Sequence, residues 1–91
     1  MNAIILDGKK MTNREEGHNY LKEMFDFPDY YGKNLDALWD ILTSMSEPIA
    51  IKLVNKNSLI ENLGTYGENI VTVFLDATKS NPNITFIIES D

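Results

Sequence analysis

Residues 48–54 read Pro48-Ile49-Ala50-Ile51-Lys52-Leu53-Val54. The six residues after the proline are aliphatic except Lys52 and alternate poorly, which marks a largely buried strand. Two similar runs lie towards the ends of the chain. Ala3-Ile4-Ile5-Leu6-Asp7 is closed by the turn pair Asp7-Gly8, and Ile84-Thr85-Phe86-Ile87-Ile88 follows the loop Ser80-Asn81-Pro82-Asn83. Helical patterns fill the intervals. Thr12 and Glu15 have the spacing of a capping box. Tyr20, Leu21, Met24 and Phe25 then form an apolar stripe that predicts a helix over 13–25, weakened by Gly17 and ended by Pro28. Asn34 is placed as the N-cap of a second helix, 35–44. Ser58 and Glu61 form another box, with Gly64 as the stop. Ile70, Val73, Phe74 and Ala77 predict a last helix over 68–79.

The order is β-α-α-β-α-α-β. Strands joined by helical crossovers predict an α/β fold: a three-stranded parallel sheet with about four helices, in two layers rather than doubly wound. Ninety-one residues suffice for one domain, 1–91. The isomer of the Glu47-Pro48 bond is left open.

Composition narrows the function. Hydrophobic residues make up 43% of the chain and charged residues 24%, which argues against disorder. Cysteine is absent, so neither a disulfide framework nor a thiolate metal site can form. No apolar run approaches the roughly 20 residues of a membrane helix. The N-terminus lacks the basic and long apolar regions of a signal peptide, so the cytoplasm is the expected compartment; a mature secreted form with its leader removed stays compatible. Eight basic against fourteen acidic residues give a net charge of −6. Direct nucleic-acid binding needs a basic face, and the charge instead suits a basic partner.

The acids are concentrated in one place. On a helix over 35–44, at about 100° per residue, Leu35, Leu38, Ile41 and Leu42 share one arc. Asp36 and Asp40 share the other, and Trp39 lies on the border. Asp36 gains from the helix dipole, but Asp40, beyond the first turn, has no stabilising role to explain it. A residue without a structural reason is a candidate for function. Asp26, Asp29 and Glu47 extend the acidic region, with Lys33 its single base. Tyr30 and Tyr31 precede the helix, and tyrosines in loops are common contact elements. Gly32 suggests a positive-φ turn or a close backbone approach. Structural roles compete throughout: Tyr31 and Trp39 as core aromatics, Asn34 as a cap, Gly32 as a turn residue.

The string Pro28-Asp29-Tyr30-Tyr31-Gly32-Lys33-Asn34-Leu35-Asp36-Ala37-Leu38-Trp39-Asp40, continued by Leu42-Thr43, resembles the barstar family of intracellular inhibitors of the secreted bacterial ribonuclease barnase. Weaker matches are Asp7-Gly8, Pro48, Val73-Phe74 and Ile84-Thr85 with Ile87. The resemblance implies a three-stranded parallel sheet packed with helices and a 1:1 complex in which the inhibitor closes the active-site cleft. It implies contacts from Tyr30, Gly32, Asn34, Leu35, Asp36, Trp39 and Asp40, with Val73 and Asp76 from the last helix. Asp40 would stand in for an RNA phosphate among the enzyme's Arg, Lys and His, Asp36 would pair with basic residues nearby, and Tyr30 would pack on the catalytic histidine. No cofactor or metal is implied, and the free protein is expected to be a monomer. The chain departs from the family at four points. Asp76 replaces a Glu, Met45 a second contacting Trp, and Lys33 an acid; the family inhibitor's cysteines are missing.

Two other functions compete. Asp36 and Asp40 could act as an acid–base pair or hold Mg²⁺. Against this, the one histidine, His18, is expected on a solvated helix, and no P-loop, HExxH or nucleophile elbow occurs, so the chain is not expected to be an enzyme. A barstar-like module with a different basic partner, such as another toxin, is the alternative.

Overall fold

Parallel pairing organises the molecule. In the computed structural model, which describes residues 2–89, β1 (Asn2–Asp7), β2 (Ile49–Val54) and β3 (Ile84–Ile88) form one sheet in the order β1-β2-β3. Helices α1 (Arg14–Phe25) and α2 (Leu35–Thr43) fill the first crossover, α3 (Lys56–Leu63) and α4 (Thr65–Ser80) the second. The order read from the sequence is the order found.

Register explains the layering. Ile4, Ile51 and Phe86 align across the sheet, as do Leu6, Leu53 and Ile88. Leu6, Ile49, Ile51, Leu53 and Ile84 are buried against the helices. Side chains alternate between faces along each strand. The other face therefore carries Ala3, Ala50 and Thr85 in one row and Ile5, Lys52 and Ile87 in the next. Ile5 is 58% and Ile87 53% exposed. The helices cover one face only. The expectation of buried strands thus holds for half of β2, and in β3 for Ile84 but not Thr85, Ile87 or Ile88.

Several local expectations are corrected. Asn13, not Thr12, caps α1, its Oδ1 accepting from the Glu16 amide at 2.9 Å. α1 stops at Asp26, a left-handed residue (φ 56°) whose amide returns to the last turn, two residues ahead of Pro28. The buried face of α1 is Gly17, His18 and Leu21, while Met24 is exposed. The Ser58 box does not form. α3 begins three residues earlier, after Asn55, whose Nδ2 instead donates to Asp7 Oδ1 at 2.9 Å. α4 begins at Thr65 and runs through the β-branched cluster Ile70–Val73, because Ile70, Val71 and Phe74 pack in the core. No peptide bond among the described residues is cis.

A 3-10 turn at Gly8–Lys10 follows β1. A Cβ on Gly8 would overlap the Asn55 carbonyl oxygen, so only glycine lets this turn reach α3. Aromatic rings then carry order from the sheet outwards. Phe86 stacks on Phe74 at 5.1 Å, Phe74 meets Phe25 at 6.0 Å, Phe25 stacks on Phe27 at 5.2 Å, and Phe27 meets Tyr31 at 4.8 Å.

Candidate functional site

The linker between α1 and α2 is held from inside. Phe27 and Tyr31 are both only 5% exposed, whereas Tyr30 between them is 87% exposed. The Tyr31 amide donates to the Pro28 carbonyl at 2.9 Å, and Lys22 reaches Asp29 at 3.5 Å. The tyrosine pair is thus divided: Tyr31 is a core aromatic and Tyr30 faces solvent.

Beneath the linker lies a feature that the sequence reading missed. His18 is buried, not solvated. Its Nδ1 is 2.7 Å from the Tyr31 hydroxyl and its Nε2 2.6 Å from that of Tyr66. A neutral imidazole donates through one nitrogen and accepts at the other, so the two hydroxyls play opposite roles. Burial lowers the pKa of His18, since the charged form loses hydration. Burial also raises Tyr31, with a further push from Tyr66. Tyr66 is raised by burial and drawn back by Arg14, whose guanidinium lies 4.1 Å from the ring centroid. No local signal announces this cluster, because its members are 13 and 48 positions apart.

The turn into α2 divides its work differently from the expectation for Gly32. The left-handed residue is Lys33 (φ 53°), not Gly32. Gly32 serves the close approach: a Cβ there would lie 3.3 Å from both Ala37 Cβ and Asn34 Nδ2. Asn34 is the N-cap, its Oδ1 accepting from the Ala37 amide at 2.7 Å and its Nδ2 donating to the Gly32 carbonyl at 3.2 Å. Leu38 and Leu42 are fully buried, and Leu35, Ile41 and Trp39 are half-buried. Asp36 and Asp40 are exposed. Neither carboxylate has a hydrogen bond or ion pair among the described residues.

The far end of α2 is fixed by Asn81, which is 5% exposed. Its Nδ2 donates to the Leu42 and Met45 carbonyls, both at 2.9 Å, and Asn83 Nδ2 adds a bond to Met45 O at 3.1 Å. The sequence marked this segment only as a loop. α4 packs on α2. Val73 is half-buried on α4, and Asp76 is exposed, 4.0 Å from Lys79 Nζ. Gly32, Asn34, Leu35 and Asp36 are drawn together by the cap, Trp39 and Asp40 follow one turn later, and Val73 and Asp76 stand on the neighbouring helix.

A family model described as Barstar (barnase inhibitor) matches residues 1–90. The chain belongs to the barstar family. A Bacillus subtilis (strain 168) protein named "Putative ribonuclease inhibitor YrdF" is 46% identical over 81 residues, which span 87% of this chain and 88% of that protein. Barstar membership agrees with the sheet order and helix placement found here. Among the described residues, no group of three or more His, Asp or Glu could hold a metal ion, and no helix is long and apolar enough to cross a membrane.

Proposed function

We propose that this chain inhibits a secreted, basic ribonuclease of the barnase type, binding it 1:1 in the cytoplasm of the producing cell. Tyr30, Gly32, Asn34, Leu35, Asp36, Trp39 and Asp40 enter the cleft that normally holds RNA, and Val73 and Asp76 flank them. The protein acts by occupancy, not turnover. The supporting observation is that Asp36 and Asp40 stand exposed, with no side-chain partner among the described residues, on a helix whose opposite face and both ends are locked. A partner therefore meets two carboxylates already in place, at little ordering cost.

The chemistry suits a phosphate-binding cleft. A carboxylate among Arg and Lys side chains accepts charge-assisted hydrogen bonds. Opposite net charge speeds encounter and makes it sensitive to salt. Asp76 is already shared with Lys79, which makes it a weaker contributor than Asp40. The test is a stoichiometric titration of barnase activity. Asp40→Ala should raise the inhibition constant roughly a hundredfold, the scale of leaving a buried charge unpaired at about 3 kcal/mol. Unchanged inhibition by that variant would remove the mechanism. Capture of a basic protein without ribonuclease activity would redirect it to another partner.

A further inference from the structure

We infer that a concavity beside the acidic face is a second docking lobe, and that it receives a carboxylate on the rim of the ribonuclease cleft. This inference rests on the inhibitory reading above. The concavity, about 640 Å³, is bordered by Arg14, Glu15, Lys33, Leu35, Asp36 and Tyr66. Leu35 and Asp36 belong to both surfaces, so a partner seated on α2 overlies both.

Two cations converge here on the most acidic part of an acidic protein. Neither Arg14 nor Lys33 forms an ion pair among the described residues, although Glu15 and Asp36 share the border. Arg14 is presented rather than loose. Its guanidinium lies over the Tyr66 ring, the Tyr66 hydroxyl is fixed on His18, and His18 in turn holds Tyr31 of the binding linker. This cation–π contact holds the guanidinium in place while its N–H donors have no hydrogen-bond or ion-pair partner among the described residues, and such donors suit a planar carboxylate. Lys33 projects from a fixed left-handed position between Gly32 and the Asn34 cap.

Against a uniformly basic partner these two charges would be a liability, since like charges facing across an interface oppose binding. Against a basic cleft with an acidic rim they become favourable. Adjacent patches of opposite sign also fix the orientation of docking, because a rotated partner would meet like charge. Arg14 and Lys33 are thus assigned to specificity, and Asp36 and Asp40 to the cleft itself.

The sign of one measurement decides the matter. The dissociation constant for barnase is measured for the unmodified chain, Arg14→Glu, Lys33→Glu, the two combined and Asp40→Ala, with Lys52→Glu on the uncovered sheet face matching the net-charge change of each single variant. Each rim substitution should weaken binding by roughly two- to fivefold, the range of exposed ion pairs, and the pair by roughly tenfold. Lys52→Glu should bind as well as the unmodified chain or better. Equal or tighter binding by the rim variant overturns the inference, while weakened binding by Asp40→Ala in the same series leaves the inhibitory reading standing. If the unmodified chain does not bind barnase, both fall together. Circular dichroism and urea midpoints check folding, and Arg14→Gln and Lys33→Gln, read by the same sign, replace the double variant if it does not fold.

Discussion

His18→Leu should destabilise the fold by about 2 kcal/mol. Leucine fills a comparable volume but offers no polar atom. The Tyr31 hydroxyl, in a side chain only 5% exposed, would then be left without its partner at 2.7 Å. Such a loss costs about 1–3 kcal/mol. Tyr66 is half-buried, so its hydroxyl can turn to water and adds less. With a urea slope of about 1.5 kcal/mol/M, the unfolding midpoint should fall by about 1.3 M. Adding Tyr31→Phe should cost much less in this background than in the unmodified protein, with a coupling of about 0.5–3 kcal/mol. Strictly additive losses would refute the reasoning. The same variant has a pH signature. Folding lowers the pKa of His18 below its free value of about 6.5, so between those two values the unfolded chain binds the extra proton. The stability contributed by neutral His18 is complete above about pH 6.5 and is lost as pH falls towards the folded value, with a slope of at most about 1.4 kcal/mol per pH unit. Subtracting the His18→Leu curve from the unmodified one should isolate that slope. A difference that stays flat between pH 7 and 5 would show that His18 titrates alike in both states.

Two further substitutions probe how the site is supported. Gly8→Ala should cost more than about 2 kcal/mol in urea unfolding, because the methyl group meets backbone and the 3-10 turn must leave α3. Asn34→Ala should cost about 1 kcal/mol by removing the N-cap bond to Ala37. It should also weaken ribonuclease inhibition by more than that stability loss explains, since the same side chain braces Gly32 and sets the start of the acidic helix.

The order of elements was legible because each strand is a compact aliphatic run and each helix interval has its own period. The face of α2 was legible too: helical spacing alone separates Leu38 and Leu42 from Asp36 and Asp40. What escaped depends on distant partners. His18 is polar, and its burial makes sense only once Tyr31 and Tyr66 supply hydroxyls on both sides. The stripe of α1 was rotated because counting hydrophobic residues favours Met24, whereas the packing against Met11 and Leu63 is made by the small Gly17. Thr12 and Asn13 compete for one cap, and neighbouring residues with similar side-chain chemistry are hard to separate without the backbone. Asn81 holds the end of α2 across 39 positions of sequence, a reach no local pattern encodes.

The one-sided sheet also bears on what contact between two copies through that face would cost. Ile5 and Ile87 offer an aliphatic platform on which two copies could stack, but Lys52 stands between them in the same row. Closing two such platforms together would strip water from a pair of ammonium groups whose one ion-pair partner among the described residues is Glu89, 3.6 Å away in each copy. Desolvating ions is costly enough to oppose that contact. A single lysine in an otherwise greasy row thus raises the cost of pairing two copies through this face.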